Sequence, residues 1–123
     1  MQILYLGLFG ALGCISRYLV SGWAHALLGR SMPYGTLTVN LVGSFLLGFI
    51  MEVSLKSTFF SPELRIALTV GFMGGFTTFS TFSYETVRLL EEGSLVLAGL
   101  NILLNVAICI FAASLGIYLA RQI

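Results

Sequence analysis

The chain has 123 residues, 58% of them hydrophobic and only 9% charged, against roughly 25% charged in a soluble globular domain. Six basic and five acidic side chains cannot give such a chain a polar exterior, and a net charge of +1 lacks the clustered basic face of a nucleic-acid binder. A soluble domain and a nucleic-acid partner are therefore excluded, and two cysteines and two prolines fit no disulfide scaffold, fibre or disordered chain.

Read between charges, four apolar stretches follow one another: 1–29, interrupted only by Arg17, then 31–51, 66–84 and 93–120. A membrane helix needs about 20 mainly apolar residues, and the alternating polarity of a membrane strand is missing. The fold class expected is an all-α integral membrane protein, a single transmembrane domain over 1–123 with helices near 2–28, 34–55, 62–90 and 94–121.

The first helix is expected to be permanent, since it has no basic n-region and no clear small-residue cleavage site. It carries Arg17 about halfway along, where an ionised side chain costs at least ~2.5–3.5 kcal/mol unless it reaches water. Two readings are open: Arg17 faces a cavity, or it snorkels to the headgroups on its aliphatic stem. His25, near the end of the helix, reads as interfacial. Gly29-Arg30-Ser31-Met32-Pro33 makes the first turn.

The second helix carries Asn40 within Gly35-Thr36-Leu37-Thr38-Val39-Asn40-Leu41-Val42-Gly43 and, toward its end, Glu52. An Asn in hydrocarbon wants hydrogen-bond partners; it can tie helices together or donate its NH₂ group to an anion. Ser61-Pro62 then reads as the N-cap and first turn of the third helix.

That third helix holds the densest signal, Gly71-Phe72-Met73-Gly74-Gly75-Phe76-Thr77-Thr78-Phe79-Ser80-Thr81-Phe82-Ser83. Paired glycines weaken a helix, and the following hydroxyls offer partners to any backbone group a break releases, so a break is expected near 74–78. Broken membrane helices build ion sites from free backbone groups, although Gly, Ser and Thr also serve close helix contacts. Phe79 and Phe82 share a face; their positive ring edges could support a small anion, as they could simply pack. Glu85 follows this polar run.

On the fourth helix Asn101 and Asn105 stand one turn apart, with Cys109 continuing the stripe. Cys14 and Cys109 read as small apolar packers, because no His or second Cys stands at ligand spacing. Four spans place Lys56, Arg65 and Arg121 on one side with both termini, and Arg30 and Arg88 on the other. Three against two is nearly no bias, so the chain could insert either way up, or a single charge could orient it.

At Gly10-Ala11-Leu12-Gly13-Cys14-Ile15-Ser16-Arg17-Tyr18, the Gly35–Gly43 segment and Gly74–Ser83, the sequence resembles the bacterial fluoride channels, the Fluc or CrcB family, over essentially its whole length. The resemblance implies an antiparallel, dual-topology homodimer in the bacterial inner membrane, with two fluoride pores along the interface. It implies Phe79 and Phe82 as aromatic edges and Asn40 as the amide donor on each path, with Ser80 and Thr81 nearby. A structural Na⁺ at the dimer centre would be held by the backbone carbonyls of Gly74 and Thr77 from both subunits. Arg17 would stand at an aqueous vestibule. Relatives often carry Tyr or His, Ser and a small residue along the fourth helix, where this chain has Asn101, Asn105 and Cys109; polarity persists at the first two, and Thr36 and Glu85 are second-rank pore residues.

The function implied is passive fluoride export that limits fluoride toxicity. HF crosses the bilayer, dissociates and is trapped, and the membrane potential drives the anion out at about 2.3 kcal/mol per 100 mV. No nucleophile or acid–base pair is visible, so no enzyme activity is expected. A proton-coupled multidrug exporter would need an embedded carboxylate, and the first helix has none. A non-conducting membrane anchor would leave Asn40, Phe79 and Phe82 without purpose.

Overall fold

The computed structural model describes all residues, 1–123, and every regular element is helical. Helix α1 runs Gln2–Leu28, α2 Tyr34–Lys56, α3 62–76, α4 Phe79–Glu91 and α5 Leu95–Arg121. The third apolar stretch is thus crossed by two helices, α3 and α4, in line. Four segments are long and apolar enough to cross a membrane: α1, α2, the α3–α4 pair and α5.

Local chemistry sets the ends. Gly29 leaves α1 with φ 89° and Gly93 turns the chain after α4 with φ 78°, a left-handed region that glycine enters without steric cost. Ser61 caps α3 by accepting from the Leu64 N–H at 3.1 Å, and Pro62 follows in the first turn, where its missing N–H costs nothing. Single π turns widen α3 at Ala67–Phe72 and α5 at Leu104–Ile108.

The polar links confirm the arrangement of ends. Gln2 reaches the Glu63 carbonyl at 3.4 Å, Arg121 pairs with Glu52 at 2.9 Å, and Lys56 reaches the Ala120 carbonyl at 3.4 Å. Both termini and the α2–α3 loop therefore share one side. At the other side the His25 imidazole lies against Gly35, and Thr36 donates to Glu85.

Without a hydrophobic drive between helices in lipid, close packing needs small residues. Gly48 of α2 lies under the Ala113 carbonyl of α5, and Gly116 of α5 under the Phe45 carbonyl of α2. Gly13 of α1 lies against the Phe72 carbonyl of α3, and a Cβ on Gly75 would stand 2.6 Å from the Gly10 oxygen. Large apolar side chains point outward instead: Leu27 is 85% and Trp23 61% exposed on α1, as lipid or a further chain would require.

Candidate functional site

The break in the third span is where the polar residues converge. Met73–Phe76 is still helical, so the paired glycines do not themselves interrupt the chain. Thr77 (φ −90°, ψ 161°) and Thr78 (φ −152°, ψ 121°) are extended, and α4 restarts at Phe79. The Thr77 hydroxyl bonds back to the Met73 carbonyl at 2.9 Å, and the Thr78 hydroxyl accepts from the Thr81 N–H at 3.2 Å as the N-cap of α4.

Asn40 of α2 fills the gap. Its Oδ1 accepts from the Thr78 N–H at 2.8 Å, while its Nδ2 donates to the Thr78 carbonyl at 3.0 Å and to Asn105 Oδ1 at 3.0 Å. One side-chain amide thereby replaces, at Thr78, the backbone partners an unbroken helix would have supplied. Both Nδ2 hydrogens are engaged, so Asn40 can donate to an anion only by exchanging one of these partners.

Beyond Asn40 the bonds continue into α5 and return to α4. Asn105 Nδ2 donates to the Asn101 carbonyl at 2.9 Å and to Asn101 Oδ1 at 3.0 Å. Asn101 Nδ2 donates to the Thr86 hydroxyl at 2.9 Å, and that hydroxyl donates to the Phe82 carbonyl at 2.8 Å. No buried side-chain polar atom is left without a partner.

A cavity of about 220 Å³ opens beside the break, lined by Asn40, Asn105, Thr78, Phe79, Phe82 and Cys109 among others. Phe79 and Phe82 are a tilted pair, centroids 5.4 Å apart at 58°. Phe82 is buried, whereas Phe79 is 77% exposed and turns toward whatever covers this face. Cys109, expected only to pack, borders the cavity, whereas Asn101, expected on the path, does not; it is fully enclosed between α4 and α5.

A second, larger cavity of about 640 Å³ is bordered by Arg17, His25, Arg30, Thr36, Thr78 and Thr81. Arg17 lies partly shielded on its wall with no acidic partner, which favours the cavity reading over snorkelling. Thr36 and Glu85 meet at the rim of a third cavity, which also touches His25, Arg30 and Arg88. Ser80 is exposed beside Phe79 and borders neither of the first two.

Gly74 and Thr77, whose carbonyls the resemblance implies as cation ligands, lie at the break. The N–H groups that would close a regular helix onto their carbonyls, those of Thr78 and Thr81, are taken by Asn40 Oδ1 and the Thr78 hydroxyl. Nothing within the chain approaches Gly74 on its Cα side within 4 Å, so this segment also has room for a neighbour.

Sequence reasoning did not single out Thr86 or the capping role of Thr78. Thr78 was visible only as one of several hydroxyls, and Thr86 pairs across two helices with a residue 15 positions away, a distance no helical repeat encodes.

The family described as CrcB-like protein, Camphor Resistance (CrcB), matches residues 4–117. The chain is 62% identical over 123 residues to a protein named fluoride-specific ion channel FluC from Syntrophotalea carbinolica, covering 100% of both. Proteins of the same name are 56% identical in Geotalea daltonii, covering 98% of each chain, and 57% identical in Geobacter metallireducens, covering 100% of this chain and 99% of the relative.

Proposed function

The chain belongs to the CrcB family, and on that premise we propose that it is a fluoride-specific ion channel, a multi-pass protein of the bacterial membrane. A channel performs no covalent chemistry; it lowers the barrier that the bilayer presents to an anion whose hydration is strong. The observation that carries the residue-level reading is the meeting of Asn40, Phe79 and Phe82 around one cavity at the break.

In this reading fluoride is drawn toward the cavity bordered by Arg17 and Arg30, whose charges concentrate anions. Thr81 lines the same wall and offers a hydroxyl donor in place of water, while the Thr36 hydroxyl beside it is committed to Glu85. At the narrower cavity Phe82 and Phe79 present ring edges, and Asn40 supplies an N–H by releasing Asn105 or Thr78. A small anion can approach these donors closely, and chloride, being larger, gains less from them. Thr36 and Glu85 form the end of the path.

The working unit in this reading is an antiparallel homodimer with two such paths. The exposed Phe79 ring, the open side of Gly74 and the nearly balanced basic residues of the two ends support it. Symmetry then brings Gly74 and Thr77 carbonyls from both chains together, four oxygens suited to a structural Na⁺. A bound Na⁺ would supply fixed positive charge and join the two breaks.

Purified protein in liposomes, with a fluoride electrode and a potassium gradient setting the potential, tests the function. Fluoride efflux that follows the potential, with chloride retained, is expected. Efflux that needs a proton gradient would point to an exporter, and none at all to an anchor.

A further inference from the structure

We infer that Thr86 and Asn101, which border no part of the aromatic cavity, are positioning residues that, together with backbone groups of Asn101 and Thr78, lock the Asn105 and Asn40 amides in the orientation they present to the anion path; the inference rests on the channel reading above. A side-chain amide can be turned over, exchanging its donor for its acceptor, unless its neighbours forbid it. Here the neighbours that cannot turn are backbone groups. The Phe82 carbonyl only accepts, so the Thr86 hydroxyl that donates to it at 2.8 Å offers Asn101 a lone pair. Asn101 must answer with Nδ2, at 2.9 Å, which points its Oδ1 at Asn105.

Asn105 then faces two acceptors, Asn101 Oδ1 at 3.0 Å and the Asn101 carbonyl at 2.9 Å, and meets both with Nδ2. Its own Oδ1 is left for Asn40, at 3.0 Å. At the far end the Thr78 N–H only donates, so Asn40 gives it Oδ1 at 2.8 Å and keeps Nδ2 toward Asn105 and the cavity. Each orientation along the chain agrees with the next, and both ends lie in or beside the first turns of α4. Asn101 is fully buried and Thr86 nearly so, hence neither can borrow water to correct a reversed amide.

The consequence is chemical. Asn105 spends both donors on Asn101 and shows the path an oxygen, which repels anions, so Asn40 is the amide donor the path retains. Removing the Thr86 hydroxyl frees Asn101 to turn; its Nδ2 then opposes Asn105 Nδ2, so Asn105 is either held by the Asn101 backbone carbonyl alone against that repulsion, or turns, forfeits that bond and opposes Asn40.

The test compares the full-length protein with Thr86→Val, Thr86→Ser and Asn101→Leu in liposomes, reading fluoride efflux and the fluoride-to-chloride ratio from the reversal potential. Valine keeps the shape of threonine, and serine keeps the hydroxyl. Thr86→Val and Asn101→Leu are expected to slow fluoride about tenfold, the rate equivalent of one unmet buried hydrogen bond, and to lower the selectivity ratio, while Thr86→Ser restores both. Exchange of the Thr78 amide hydrogen, followed by NMR in detergent, is expected to quicken in Thr86→Val relative to α2 amides. It reads the same amide chain without transport, so a variant that assembles poorly in liposomes still gives an answer. Wild-type efflux and ratio in Thr86→Val, or unchanged Thr78 exchange, would overturn the inference. Failure of the wild-type protein itself to pass fluoride would instead overturn the channel reading, and this inference with it.

Discussion

Asn40 does two jobs with one amide, and the two compete. It closes the backbone at Thr78 and, in the proposed reading, donates to the anion in the cavity it shares with the aromatic pair. Asn40→Leu leaves the Thr78 N–H and carbonyl without their side-chain partner, so it should destabilise the protein by about 1–3 kcal/mol as well as abolish fluoride flux. A thermal-melt shift in detergent measured with the flux would separate this from Phe82→Leu, which touches no hydrogen bond. Phe82 is buried against Phe79, and losing its ring edge, worth ~1 kcal/mol, should slow fluoride about fivefold at nearly unchanged oligomer size; flux equal to wild type would remove the ring from the path. The types of these residues were legible in the sequence because Asn in hydrocarbon and Phe at a three-residue spacing each stand out. Their engagement was not, since Asn40 finds its partners 38 and 65 positions away, and only folding brings those together.

Among the elements, the α3–α4 break shows what a local pattern can and cannot say. Paired glycines followed by hydroxyls announced an interruption near 74–78, and one occurs at Thr77 and Thr78. The glycines, however, remain helical, and only one of the pair serves a contact within the chain. Gly75 sits where a Cβ would meet the Gly10 oxygen at 2.6 Å and the Cys14 nitrogen at 3.1 Å, while at Gly74 it would meet nothing. Gly75→Ala should therefore force α1 off α3 and cost about 1–3 kcal/mol. Gly74→Ala should leave the single chain packed as before, yet weaken its pairing with a second copy. Melting in detergent reads the first effect and single-molecule subunit counting in lipid the second; a Gly74→Ala protein that pairs as wild type does would show that this side is not an interface. The π turns at Ala67–Phe72 and Leu104–Ile108 left no signature, because their residues are as apolar as any helical stretch and the extra residue is absorbed by packing.

At the scale of the whole molecule, the basic residues are divided nearly evenly between the two ends. The links Gln2 to Glu63, Glu52 to Arg121 and Lys56 to Ala120 put Lys56, Arg65 and Arg121 on one side, and Arg30 and Arg88 remain on the other. Because Lys and Arg in short loops set orientation, this near balance would let chains insert each way, as the proposed antiparallel pair needs. Replacing Arg30 and Arg88 with Ser leaves basic loop residues on one side only. The loss costs little fold stability: Arg88 pairs with Glu91 and Glu92 at 3.5 Å, on the surface, where such bridges contribute about 0–1 kcal/mol. The doubly substituted protein is expected to insert with its termini in the cytoplasm, as reporter fusions would read, and to lose fluoride resistance in cells. A second copy carrying Lys56→Ser, Arg65→Ser and Arg121→Ser should insert the other way up and be inactive alone. Expressed together, the two should restore resistance, since each supplies the orientation the other lacks; either one acting alone as well as wild type would mean that the two orientations are not needed.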